Sequence, residues 1–323
     1  MNKEKEKVIV EIPHRISGFF EIVDEANGVK IKEYEKIGSR GAGFCLSAVG
    51  KTEISIEYKE KQEDFESSIY INGEEQNQKA ETTNFIVNYI RKFINEPMKI
   101  EIKHNFDLPV GCGYGASGSG ALGTIFGLNH ILNLNLSYEE RGRIAHIAEV
   151  INKTGLGTVC GILGRGFCML LEPGYPCVYK RINAQSSIKI ICGTFGMIPT
   201  KSVLSDPLLS ARIKESGRKA LNKLTQNPNM KTFVRASIEY VNETNILNIL
   251  KLEKEKELMD NLNKLDILGA SMNQLGRSVY AIGTREQEKK IVEIFESYKP
   301  EIKIFNLSIN NKYPKIYDVD KKI

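Results

Sequence analysis

A chain of 323 residues, 41% hydrophobic and 26% charged, is long enough for one large domain or two intimate ones and has the composition of a globular protein. Its net charge of +5, from 45 basic and 40 acidic residues, is too mild and too scattered for a nucleic-acid-binding stripe. No run approaches the roughly 18 apolar residues of a membrane span, and the charged N-terminus lacks an apolar signal core, so a cytoplasmic protein with neither a nucleic-acid nor a membrane partner is expected.

In chain order, residues 8–12 form a short β-rich run. Two segments then read as glycine-punctuated loops: Pro13-His14-Arg15-Ile16-Ser17-Gly18-Phe19-Phe20-Glu21-Ile22 and Gly38-Ser39-Arg40-Gly41-Ala42-Gly43. Alternation at Ile54, Ile56 and Tyr58 predicts a strand over 52–58, and residues 68–71 with Asn72-Gly73 predict a strand and turn. Phe85, Ile86, Tyr89, Ile90 and Phe93 give 80–94 a helical period; Met98, Ile100 and Ile102 make 98–104 a strand. A helix is expected over 122–134, and Ser137 with Glu140 forms a capping-box signature opening another over 138–153, stopped by Thr154-Gly155-Leu156-Gly157. Strands follow at 167–171 and 187–194. Beyond residue 200 three helices are predicted over about 206–226, 230–246 and 252–275, then a strand at 278–282, a helix at 285–298 and a strand at 302–307. Met272 and Leu275 fall in the third of these helices and read as its core. The six cysteines (Cys45, Cys112, Cys160, Cys168, Cys177, Cys192) show no metal-ligand spacing and are expected as reduced, mostly buried thiols.

Between the strand at 98–104 and the helix at 122–134 lies Pro109-Val110-Gly111-Cys112-Gly113-Tyr114-Gly115-Ala116-Ser117-Gly118-Ser119-Gly120-Ala121. A glycine-rich turn that opens a helix presents a row of backbone N–H groups and the positive end of the helix dipole, which together make an anion site. No Lys follows the glycines, so the loop is not a Walker A site. The spacing and the missing downstream acid exclude a dinucleotide fingerprint.

The pattern resembles P-x-G-x-G-L-G-S-S-A-A, the second motif of the GHMP kinase superfamily, with Tyr114 in place of Leu and Ala116 in place of the first Ser. Together with the two segments above, Ala148-Glu149-Val150 with Thr154-Gly155-Leu156-Gly157, Glu172-Pro173-Gly174, Val203-Leu204-Ser205-Asp206-Pro207 and Ala270-Ser271-Met272-Asn273-Gln274-Leu275-Gly276, it is similar to the archaeal pantoate kinases. The resemblance implies an α+β GHMP fold: a ribosomal protein S5 domain 2-like ATP-binding domain over 1–185 and a ferredoxin-like domain over 186–323, assembled as a homodimer. It implies ATP and Mg²⁺ as cofactors and phosphorylation of the 4-hydroxyl of (R)-pantoate on the route to coenzyme A. Homoserine, or another small hydroxy or amino acid, is the alternative acceptor, and a nucleotide-binding homologue that has lost catalysis is the non-enzyme alternative.

By that resemblance Pro109, Gly111, Gly113, Gly115, Ala116, Ser117, Gly118 and Ser119 wrap the ATP phosphates, and Ser117 and Glu149 hold Mg²⁺. Thr158 stands where relatives usually carry an Asp base; some superfamily members, homoserine kinases among them, manage without a carboxylate base. Phosphoryl transfer depends mainly on positioning and charge neutralisation, so Ser117, Glu149 and Thr158 are the expected catalytic set. His14, Arg15, Ser17, Ser39, Arg40, Arg165 and Thr200 are the expected substrate contacts. A guanidinium fork matches a carboxylate, so Arg40 and then Arg165 are the expected partners of the substrate carboxylate.

Overall fold

The computed structural model describes residues 6–60, 65–185, 187–198, 203 and 206–319. Strand β1 (Glu6–Val23) runs into the short hairpin β2 (Glu25–Ala26) and β3 (Val29–Lys30) and pairs antiparallel with β4 (Gly38–Tyr58). Strand β5 (Glu66–Ile71) turns through Asn72-Gly73 into β6 (Glu74–Glu75). Both turn residues have positive φ, as the Asn-Gly pair predicts. Helix α1 (Glu81–Arg91), strand β7 (Met98–Phe106), helix α2 (Ala116–Ile131), helix α3 (Tyr138–Asn152), the short helix α4 (Thr158–Gly164), β8 (Phe167–Leu170) and β9 (Tyr179–Ile182) complete the first half. The second half comprises β10 (Ile188–Gly196), α5 (Pro207–Gln226), α6 (Met230–Thr244), α7 (Ile246–Ile249), α8 (Glu253–Leu262), β11 (Gly269–Met272), β12 (Arg277–Thr284), α9 (Glu288–Glu296), β13 (Lys303–Leu307) and β14 (Lys315–Asp318).

The larger sheet has the order β14-β1-β4-β7-β5-β6, with β8 and β9 added on β4; only β5 and β7 run parallel. The second sheet has the order β11-β12-β10-β13, and the chain passes from one sheet to the other between Ile182 and Ile188. The two longest strands serve both halves. Val8, Val10 and Ile12 of β1, with Ile54 and Ile56 of β4, pack under α1, α2 and α3 through Ile86, Leu122, Ile125 and Ile144. Further along the same strands, Ile16, Phe19, Phe44 and Leu46 pack on α6 and the second sheet. There Phe233 contacts Phe44, Phe167 and Tyr280 at ring-centroid distances of 5.8, 5.1 and 6.3 Å.

What divides the two cores is a pair of irregularities in the β1–β4 ladder, between Pro13 and Arg15 and between Ser17 and Phe19. Bulges bend a strand and re-aim its side chains. Here they sit beside the glycine loop.

Three expectations are corrected. The segments 13–22 and 38–43 are strand, not loop. Their glycines are sites of close approach: a Cβ on Gly43 would lie 1.9 Å from the Ile16 carbonyl, and one on Gly18 would lie 2.5 Å from the Phe233 ring. The helix predicted over 252–275 ends at Leu262. Asn263 joins its last turn to the next strand, its amide donating to the carbonyls of Met259 and Ala270 at 2.9 Å and its Oδ1 accepting from Ala270 N–H. Finally, Cys160 and Cys177 form a disulfide, because the turn through Pro173–Pro176 returns the chain beneath α4; Cys45, Cys112, Cys168 and Cys192 are free and buried. No helix of the described residues is long and apolar enough to cross a membrane.

Candidate active site

Helix α2 begins where the glycine loop ends. Gly111, Gly113 and Gly115 have φ of 76°, 87° and 69°, so every second residue takes a left-handed conformation that other side chains rarely adopt. The repeated reversal keeps the loop close to the helix axis. The N-cap Gly115 gives no side-chain cap, and the first turn holds no acid. Ser119 N–H makes the first bond back, to Gly115 O at 3.0 Å, so the amides before it are left for a ligand.

The loop is pinned to β1 through one carbonyl. Tyr114 O accepts from Arg15 N–H at 3.0 Å and from His14 Nδ1 at 3.0 Å; since a carbonyl only accepts, the His14 proton is on Nδ1. Burial pushes the His14 pKa down to about 4, which keeps the ring neutral. His14 does not reach the cavity; it positions the loop.

A cavity of about 440 Å³ opens between the loop, β1, the start of β4, the segment from Lys153 to Thr158 and the β11–β12 turn. Of the expected residues, Arg15, Ser17, Ser39, Gly111, Gly113, Gly115, Ala116, Ser117 and Thr158 wall it. Glu149 lies directly behind that wall. It is 1% exposed; Oε1 accepts from the Thr154 hydroxyl at 3.0 Å, whereas Oε2 has no hydrogen-bond partner. A Cβ on Gly118 or on Gly155 would lie 3.0 or 2.3 Å from that Oε2, so the two glycines leave room for the carboxylate. Burial pushes the Glu149 carboxyl above its usual range, while the Ser117 and Thr154 hydroxyls beside it pull the other way.

Arg15 is the second buried charge. It is 3% exposed; Nη1 donates to Gly161 O at 3.1 Å and reaches Cys168 Sγ at 3.5 Å, while Nε has no partner. No carboxylate faces it among the described residues. A guanidinium does not shed its proton, and a buried charge without a counter-ion is costly.

Other expected residues are placed elsewhere. Arg40 is engaged by Glu21, directly opposite on β1, through Nε to Oε2 at 3.0 Å and Nη2 to Oε1 at 2.9 Å, and does not wall the cavity. Its neighbours Ser39, Gly41 and Ala42 wall the cavity, while the Arg40 guanidinium is turned onto Glu21 across the ladder. Arg165 stacks on Tyr313, its Cζ 3.4 Å from the ring centroid, outside the cavity. Ser119 is fully buried and donates to Ile12 O at 3.1 Å, locking α2 to β1 rather than meeting a phosphate. Gly118 leaves room for the Glu149 carboxylate, and Pro109 precedes the wall, which begins at Val110. Thr200 lies outside the described residues.

Sequence reasoning missed Lys153, Gln274 and the place of Leu275, all in the cavity wall. Lys153 was detectable as the cation that ends α3 just before Thr154-Gly155; its φ of 53° turns the chain there. Leu170 also lies in the wall and adds apolar surface. Among the described residues, no Asp, Glu or His walls the cavity, and no group of three or more metal-ligating side chains is assembled.

A two-sheet α+β fold with an uncapped, glycine-led helix over a buried carboxylate defines a GHMP-type kinase, and the family described as "GHMP kinases N terminal domain" matches residues 82–164. The comparison narrows further: the chain belongs to the pantoate kinase family. It is 32% identical to the pantoate kinase of Methanocaldococcus jannaschii over 88% of this chain and 96% of that one. Against the pantoate kinase of Thermococcus kodakarensis it is 29% identical over 88% and 90% of the two chains. A solved "phosphotransferase related to CoA biosynthesis pathway" superposes with a TM-score of 0.82 at 26% identity, over 98% of this chain and all of that one.

Proposed function

We propose that this chain transfers the γ-phosphoryl group of ATP to the 4-hydroxyl of (R)-pantoate. The observation that carries the reading is a pair of opposite buried charges, each with an unpartnered polar atom: Arg15 in the wall of one cavity and Glu149 directly behind that wall. The loop amides and the start of α2 hold the phosphates, and Lys153 adds a cation at the rim.

Glu149 Oε2 and the Ser117 hydroxyl suit Mg²⁺, which takes one or two protein oxygens and completes its shell with phosphate oxygens and water; among the described residues no cluster suited to a transition metal competes. The ion, when bound, neutralises phosphate charge. Arg15 takes the substrate carboxylate, and Ser17 and Ser39 offer hydroxyls beside it. Ala42, Leu156 and Leu170 give the same cavity an apolar wall that suits the gem-dimethyl carbon. With no carboxylate or imidazole in the wall among the described residues, the acceptor hydroxyl is positioned rather than deprotonated in advance, and its proton leaves on a phosphoryl oxygen. Thr158, at the first turn of α4 and against Gly115 and Gly118, shapes the site where a carboxylate base would otherwise stand.

The test is ADP release with ³¹P NMR of the product, using ATP·Mg²⁺ and a panel of pantoate, homoserine and mevalonate. Pantoate turnover supports the reading, and transfer to another acceptor alone rejects it. ATP binding without turnover on any acceptor favours a homologue that has lost catalysis. Sedimentation tests the homodimer that forms part of the same reading.

A further inference from the structure

The turn between β11 and β12 belongs to the second sheet, yet it is stitched to β1 and the glycine loop. Gln274 N–H donates to Ser17 O at 3.0 Å, and Ser17 N–H donates to Asn273 Oδ1 at 3.2 Å. Ser278 Oγ donates to Cys112 O at 2.8 Å, and a Cβ on Gly276 would lie 2.0 Å from that same oxygen.

Gln274, 6% exposed, is held by this turn in the cavity wall. Its Nε2 donates to Met272 O at 3.5 Å. Because that carbonyl can only accept, the amide nitrogen must face it and Oε1 must point the other way. Oε1 is buried and has no hydrogen-bond partner. An unpaired buried acceptor is costly, so one kept at a cavity wall is a prepared contact.

Its chemistry selects the contact. An amide oxygen repels carboxylate and phosphate oxygens and attracts an O–H. On the reading above, the acceptor carries two hydroxyls: the one phosphorylated and the one next to the carboxylate. Arg15 and Ser17, two positions apart on β1, both wall the cavity, and Gln274 is hydrogen-bonded to Ser17. Of the two hydroxyls, the one next to the carboxylate stays closest to Arg15, and Gln274 is the wall residue tied through Ser17 to the same strand.

We propose that Gln274 Oε1 accepts a hydrogen bond from the 2-hydroxyl of pantoate and is the residue that selects a 2-hydroxy acid. The inference rests on the pantoate reading. The discriminating acceptor is 4-hydroxy-3,3-dimethylbutanoate, which lacks only the 2-hydroxyl. Wild-type enzyme is expected to prefer pantoate by about 10- to 100-fold in kcat/KM. Gln274→Met should bring that preference to within about threefold while leaving the KM for ATP unchanged, which also shows that the variant is folded. Gln274→Glu keeps an acceptor oxygen and should keep the preference, whatever it loses equally on both acceptors. Equal losses on both acceptors in Gln274→Met, with pantoate still phosphorylated by wild type, would overturn the assignment and leave the pantoate reading standing. Failure of wild type to phosphorylate pantoate would overturn both.

Discussion

On the proposed reading the cavity has a phosphate side and an acceptor side, and the two are built by different means. The phosphate side comes from one continuous stretch, loop and helix α2, whose donors are backbone amides, with Glu149 of the neighbouring helix brought in behind. The acceptor side is gathered from β1, the start of β4, α4 and the β11–β12 turn, and its contacts are side chains. A backbone site tolerates substitution provided the glycines remain. A side-chain site can exchange one residue for another across elements, as the proposed use of Arg15 in place of Arg40 or Arg165 illustrates.

The largest effect should follow from breaking the phosphate side. Glu149→Gln should lower kcat by about 10²–10³-fold and abolish most of the dependence on Mg²⁺. It should also make the ligand-free protein more stable by about 1–3 kcal/mol. The sign follows from burial: the Glu149 pKa is raised from 4.5 in the folded state. Above that ordinary value the unfolded chain has released a proton that the folded chain retains, so stability falls as pH rises toward the raised pKa. Urea melts of both proteins across pH 4 to 8 check this; a Glu149→Gln protein no more stable at pH 8 than wild type would place the carboxylate in a satisfied environment.

On the acceptor side, Arg15→Met should raise the KM for pantoate about 100-fold with the KM for ATP within about twofold. Replacing a buried guanidinium that no carboxylate faces among the described residues by an apolar chain of similar length should cost no more than ~1 kcal/mol. Initial-rate kinetics in both substrates give the answer. A rise in the KM for ATP would move Arg15 to the phosphate side and erase the contrast.

The same contrast explains what could be read from the sequence. The glycine loop, Ser117 and Glu149 were legible because a short motif fixes their geometry locally. Amphipathic α1, α5 and α6, the capping box at Ser137 and the Asn72-Gly73 hairpin were legible for the same reason. The glycines of β1 and β4 were misread as loop signals because their cause is tertiary: the close approach of Ile16, Phe19 and Phe233. The end of α8 was missed because Leu265, Ile267 and Leu268 continue an apolar run, and only the Asn263 bridge separates helix from strand. Arg15 is named by its motif as a substrate contact, though not as the carboxylate's partner, whereas Gln274 differs from any buried polar residue only in where the fold leaves it.

A smaller effect tests how the loop is held. His14 and His104 both have pKa values lowered to about 4 by burial. Between pH 6.5 and 4 the unfolded chain takes up protons that the folded chain refuses, so stability is full above pH 6.5 and falls as pH drops through this window, by a few kcal/mol in all. His14→Asn should shallow that slope while its amide N–H can still donate to Tyr114 O. Acid titration of the urea midpoint measures it, and an unchanged slope would show that His14 does not titrate in this range.

The smallest effect on catalysis is expected at Arg40, and it is the most direct test of the acceptor side. Arg40 and Glu21 are direct partners across the β1–β4 ladder, and neither walls the cavity. Glu21 is 7% exposed, so Arg40→Met leaves a nearly buried carboxylate without its cation and should cost about 1–3 kcal/mol in stability. Adding Glu21→Gln should restore most of that loss, because it removes the stranded charge. Throughout, the KM for pantoate should stay within about twofold of wild type. A tenfold rise in Arg40→Met that Glu21→Gln fails to relieve would mean that the guanidinium leaves Glu21 for the substrate, and the carboxylate subsite would then belong to Arg40 and not to Arg15.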